Sequence, residues 1–186
     1  MPGTIAALTA TQLRALSTTL MRGLGSSQLS ALTTTQLSGL NSIQVMAPTT
    51  TQMNGWTTTQ RAALPATQLA GLSNTQVAAL TRTQMAALPS TQVGALSSTQ
   101  MANLTSTQVA GFTTSQIAGL TTAQVGVLNI TQMASLTQTQ VSGFESTDMA
   151  VLTSAQIRAF STTQIAGLGS LQMGGVVPAT IGALTI

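Results

Sequence analysis

The chain has 186 residues, 43% of them hydrophobic and only 4% charged, with five basic side chains, two acidic ones and no His or Cys. An ordinary soluble domain carries about 25% charged residues. The missing residue types exclude a Ser-His-Asp triad, a cysteine nucleophile and a His/Cys zinc or haem site. They leave Glu145 and Asp148 as the one carboxylate pair for cation or acid–base chemistry. The net charge of +3 comes from isolated arginines, and one Trp with three Phe offers no stacking platform, so nucleic acid is not an expected partner. No catalytic residue, cofactor, metal ligand or small-molecule substrate is expected, and the chain reads as a non-enzyme.

Blocks of eight counted from Met1 divide residues 1–184 into 23 octads without insertion, leaving Thr185 and Ile186, so residues 1–186 form a single repeat array. Position 1 is mostly Thr, Ser, Asn, Gly or Pro. Position 4 is Gln in 19 of the 23 octads, which makes it the most constant polar site. Position 5 is apolar except at Arg61, position 7 is small, and position 8 is Leu in 17 of the 23.

The first octad (1–8) is a variant, with Pro2, Thr4 and Ile5. The next four are regular except for Leu20 at position 4. Octads 41–64 are the least regular: Pro48 and Trp56 replace Leu at position 8, and Arg61 marks a local defect in the apolar row or a contact with another chain. Residues 65–112 carry the cleanest pattern. There Leu72, Leu80, Leu88, Leu96, Leu104 and Phe112 fall at position 8, and Val77, Met85, Val93, Met101 and Val109 at position 5. Further on, Glu145 and Asp148 stand at positions 1 and 4, where acids suit a helix start. Residues 169–177 are Gly-rich and apolar, and the last octad (177–184) repeats the variant features of the first through Pro178, Thr180 and Ile181.

Each octad predicts one very short helix. Position 1 supplies the N-cap, and position 4, as N3, closes a capping box, with Gln76, Gln84, Gln92, Gln100 and Gln108 as representative caps. Positions 5 and 8 are i,i+3 neighbours and share one apolar face. A helix of about two turns is far below the ~12–15 residues that persist alone in water, so it must be held by neighbouring turns. Val and Met alternate at position 5 with a period of 16, which predicts two octads per 16-residue turn of an all-α solenoid. The alternative is a two-sided β-solenoid with 16 residues per coil, in which Thr and Gln stack as ladders. The odd spacing between positions 5 and 8 favours helix over strand.

The blocks LTTAQVGV (120–127) and LTRTQMAA (80–87) resemble the L-T-T-x-Q-V-A-A octapeptide arrays of large bacterial surface and adhesion proteins. TSTQVAGF (105–112) is similar to the octapeptide of bacterial ice-nucleation proteins, although an apolar residue stands where those repeats place a second Thr. The first resemblance implies an extracellular or cell-surface filament or adhesin stalk. The matched ends suggest either that the terminal octads are degenerate caps or that copies stack head to tail through Pro2, Thr4, Ile5, Pro178, Thr180 and Ile181. The second implies an ice- or surface-binding module using rows of Thr. No cleavable signal peptide and no membrane span are evident.

Overall fold

The computed structural model describes residues 5–177. Every octad from 9–16 to 169–176 forms one α-helix of four to six residues, from α1 (Ala10–Arg14) to α21 (Ser170–Gly175), and no strand occurs among the described residues. The architecture is an all-α repeat solenoid, and the β-solenoid alternative is set aside. Of the end residues singled out above, Ile5 is buried in the core, while Pro2, Thr4, Pro178, Thr180 and Ile181 lie outside the described residues.

One octad shows how the local structure arises. Thr113 is extended (φ −77°, ψ 160°), its hydroxyl accepts the Gln116 N–H at 3.2 Å, and its own N–H donates to Gln116 Oε1 at 2.7 Å. This reciprocal pair satisfies donors that the start of a helix leaves open. The helix stops after about one turn because the Leu120 N–H bonds back only three residues, to the Ile117 carbonyl at 3.1 Å. The next octad then begins with another extended cap, Thr121.

The side chains at positions 5 and 8 form one continuous core. Leu72, Val77, Leu80, Met85, Leu88 and Val93 are buried, as are Leu96, Met101, Leu104, Val109 and Phe112. The larger Trp56 and Phe144 occupy position 8 within the same core.

The winding differs from the two-octad turn. Helices pack on the third helix along the chain, as in α1 on α4 (Thr34–Ser38), α11 (Ser90–Gly94) on α14 (Thr114–Ala118), and α18 (Ser146–Val151) on α21. Side-chain bonds between turns span 28 to 31 residues. A turn therefore closes after between three and four octads. The 16-residue period has another cause. Octads three apart always have opposite parity, so in the middle of the array a Met-bearing helix packs on a Val-bearing one, as α10 (Arg82–Ala86, with Met85) on α13 (Ser106–Val109, with Val109), whereas α18 and α21 pair Met149 with Met173. Large and small side chains alternate across the contact, as a close-packed interior requires.

Small residues at position 7 permit this approach. A Cβ at Gly55 would stand 2.8 Å from the Ser26 carbonyl oxygen, three octads earlier, and one at Gly143 would stand 3.0 Å from that of Thr114. Elsewhere alanine or serine fits, and Ser135 adds a hydrogen bond from its hydroxyl to the Ser106 carbonyl at 3.1 Å.

Candidate functional site

The most distinctive feature of the interior is polar. Glutamines at position 4 cap their own helices through Oε1 and also reach the preceding turn through Nε2. Gln108 Nε2 donates to the carbonyls of Val77 (3.0 Å), Ala78 (3.3 Å) and Leu80 (2.7 Å). Gln116 reaches Met85, Ala86 and Leu88 in the same register, and Gln124 reaches Val93 and Leu96. These side chains are almost fully buried, with Gln116, Gln124 and Gln132 each 1% exposed. The accepting carbonyls lie at and just past the ends of short helices, where few backbone donors remain, although the Val77 carbonyl also accepts the Leu80 N–H at 3.1 Å. Each amide thus satisfies two unmet needs, a helix start in one turn and a helix end in the turn below.

The ladder runs from Gln36, which bonds Leu8, to Gln172, which bonds Phe144, with two interruptions. At Gln84 the capping bonds remain, but Nε2 reaches no carbonyl of the earlier turn. By the common register its acceptors would include the Met53 carbonyl, which instead accepts Arg61 Nη2 at 2.8 Å. Arg61 is buried, and desolvation lowers its pKa. At the second interruption Asp148 replaces glutamine. It accepts the Glu145 N–H at 3.0 Å and so serves the cap, but an ionised carboxylate has no proton to offer the turn below. Burial raises the pKa of Asp148, the Glu145 hydrogen bond opposes that rise, and the Glu145 charge adds to it.

Two further irregularities follow from proline. Pro65 and Pro89 occupy N-cap positions without an N–H, so Gln68 Oε1 and Gln92 Oε1 are buried without a partner. Their Nε2 groups still reach the lower turn, to Leu40 and Leu64 respectively.

Of the capping glutamines named from sequence, Gln76, Gln100 and Gln108 make both sets of bonds, Gln92 makes only the inter-turn set, and Gln84 only the cap. Sequence reasoning missed the second role of the amide. The signal was present: a capping box is served by Glu as well as Gln, yet no octad places Glu at position 4. Of the two, the amide both accepts and donates, whereas an ionised carboxylate only accepts.

On the outside, two shallow grooves of about 470 and 380 Å³ recur 64 residues apart. The first is lined by Arg22, Pro48, Thr49 and Ser73, the second by Arg82, Phe112, Thr113 and Thr137. The cap hydroxyls of Thr49, Ser73, Thr113 and Thr137 already accept helix N–H groups, and both arginines are tied to backbone carbonyls. No group of three or more acidic, His or Cys side chains suited to a metal occurs among the described residues.

A family model described as an ALTTAQ repeat matches residues 5–42 and 141–176. The chain is a repeat protein. No curated protein and no solved structure shows a significant match to it. Both matched segments contain the capped, ladder-bonded octads described above, and the intervening residues continue the same structure without a break in register. No described helix is long and apolar enough to cross a membrane.

The ladder generates two expected outcomes. Replacing Gln116 by Ala removes a cap acceptor and the side-chain donor to the Met85, Ala86 and Leu88 carbonyls, for a loss of about 2–3 kcal/mol. Replacing Gln84 costs only the cap, about 0.5–1 kcal/mol; urea unfolding of the two variants checks the difference. Asp148→Gln supplies the missing donor and removes a buried carboxylate, for a gain of about 1–3 kcal/mol at pH 7. The folded carboxyl keeps its proton to higher pH than the unfolded one. The native chain therefore loses stability as pH rises from the unfolded carboxylate range through the raised folded value. The charge-dependent part of the Asp148→Gln gain disappears below about pH 4, which thermal unfolding across pH measures.

Proposed function

We propose that the chain is a non-enzymatic structural rod, an element of an extracellular filament or adhesin stalk, and that copies stack head to tail. The carrying observation is that one inter-turn bond recurs in the same register from Gln36 to Gln172, broken at Gln84 and Asp148, so that a further turn set in register meets the same donors and acceptors. Apolar side chains are exposed on α21. Met173, at a position that is 0% exposed in Met85, Met101 and Met133, is 42% exposed, and Leu171 is 61% exposed. A second copy set in register brings donors to acceptors and covers the apolar surface. A heterologous contact of this kind does not close and produces a filament.

The extracellular setting rests on the resemblance of LTTAQVGV (120–127) to octapeptide arrays of bacterial surface proteins. Support for a load-bearing role comes from the continuous apolar core and from the amides that tie each turn to the one below. One observation favours surface binding as a second reading. Threonines at position 3, including Thr83, Thr99 and Thr107, are exposed along the outside of the coil.

Sedimentation velocity with negative-stain imaging tests the rod. Particles are expected to lengthen with concentration, and Leu171→Lys with Met173→Lys is expected to hold the chain as single rods. Monomers at all concentrations would remove the head-to-tail reading. A thermal-hysteresis activity lost on replacing the exposed Thr row would favour the second reading instead.

A further inference from the structure

The core contains one positive charge with no counter-charge. Arg61, in α7 (Thr58–Ala62), is 2% exposed, and its guanidinium makes one hydrogen bond, from Nη2 to the Met53 carbonyl at 2.8 Å. Its Nε is buried without a partner. Five residues earlier Trp56, also 2% exposed, has a buried indole Nε1 without a partner. The two residues meet at one atom, since the Trp56 backbone N–H also donates to the Met53 carbonyl, at 3.0 Å. The chain's carboxylates, Glu145 and Asp148, lie eleven octads further on, and α4, which packs on α7, carries no charged residue. A guanidinium cannot shed its proton in a protein, and a buried charge without compensation is strongly unfavourable. A water molecule would satisfy the open N–H groups and leave the charge as it is. An anion answers both requirements.

We propose that Arg61 and Trp56 form an internal site for a small monovalent inorganic anion of the class of chloride, bromide and nitrate. Arg61 supplies the charge and the Nε donor, and Trp56 supplies a second N–H with an apolar wall. The single compensating charge selects against sulfate, which would bring an excess negative charge into the core. The substitution that breaks the ladder at Gln84 thereby becomes a ligand-dependent joint in an otherwise self-sufficient coil. This site is independent of whether the rods assemble.

Crystals soaked in bromide are expected to show an anomalous peak within hydrogen-bond reach of Arg61 Nε and Trp56 Nε1. In solution, the melting temperature at constant ionic strength is expected to rise by about 3–6 °C, saturably, as chloride or bromide replaces sulfate. Arg61→Met restores the apolar residue found at position 5 in the other octads and is expected to abolish the anion dependence while keeping the helical circular dichroism. A water in place of the bromide peak, or the same anion dependence in Arg61→Met, would overturn the site. Should the variant fail to fold, the bromide crystal of the native chain still decides the matter.

Discussion

A glutamine amide that bonds in two directions at once governs this fold. Oε1 closes a capping box within its own octad, and Nε2 reaches carbonyls 28 to 31 residues earlier. Very short helices are the reason both bonds are needed. A helix of five residues consists almost entirely of ends, so most of its backbone groups lack an intrahelical partner. Ordinary proteins leave such groups to water, but here they face the interior of a narrow coil. The position 4 amide supplies both the acceptor and the donor that a continuous stack of helix ends demands.

The same arrangement explains why the chain carries so little charge. An acid at position 4 loses the inter-turn donor, as Asp148 shows, and a base at position 5 takes a ladder carbonyl and displaces the amide above it, as Arg61 does at Met53. Each turn depends on its neighbours for its core and for its backbone satisfaction. Stability is therefore a nearest-neighbour property, and a local defect weakens one interface rather than the whole array. Proline is tolerated at position 1 because losing an N–H there orphans one Oε1 and leaves the inter-turn bond in place, as at Pro89 and Gln92.

Much of this was legible in the sequence. The octad, the cap at position 1, the N3 role of Gln and the buried rows at positions 5 and 8 follow from residue types at fixed spacing. The winding did not follow, because parity between Met and Val rows reports which octads touch, and contacts one or three octads apart satisfy it equally. Choosing between them requires the direction in which the chain leaves each helix, a backbone property that side-chain alternation does not encode. The inter-turn amide bond was hidden for a related reason: the capping box already accounted for Gln108 and its equivalents, and only the complete avoidance of Glu pointed to a second use. The burial of Arg61 was the least accessible, since a lone cation in an apolar row ordinarily reaches solvent.

The central claim is that turns are joined at an offset near 28 residues, with the position 7 side chain of one octad against position 2 of the octad three before it. The native chain has no cysteine, so engineered pairs report this directly. Ser106 and Ser135 touch through a 3.1 Å hydrogen bond, whereas Ser106 and Thr122 are 16 residues apart, the separation that a two-octad turn would stack. Oxidation of the Ser106→Cys, Ser135→Cys chain is predicted to give an intramolecular disulfide by mass spectrometry, and the Ser106→Cys, Thr122→Cys chain to remain reduced. The reverse outcome, ready cross-linking at 16 and none at 29, would contradict the account.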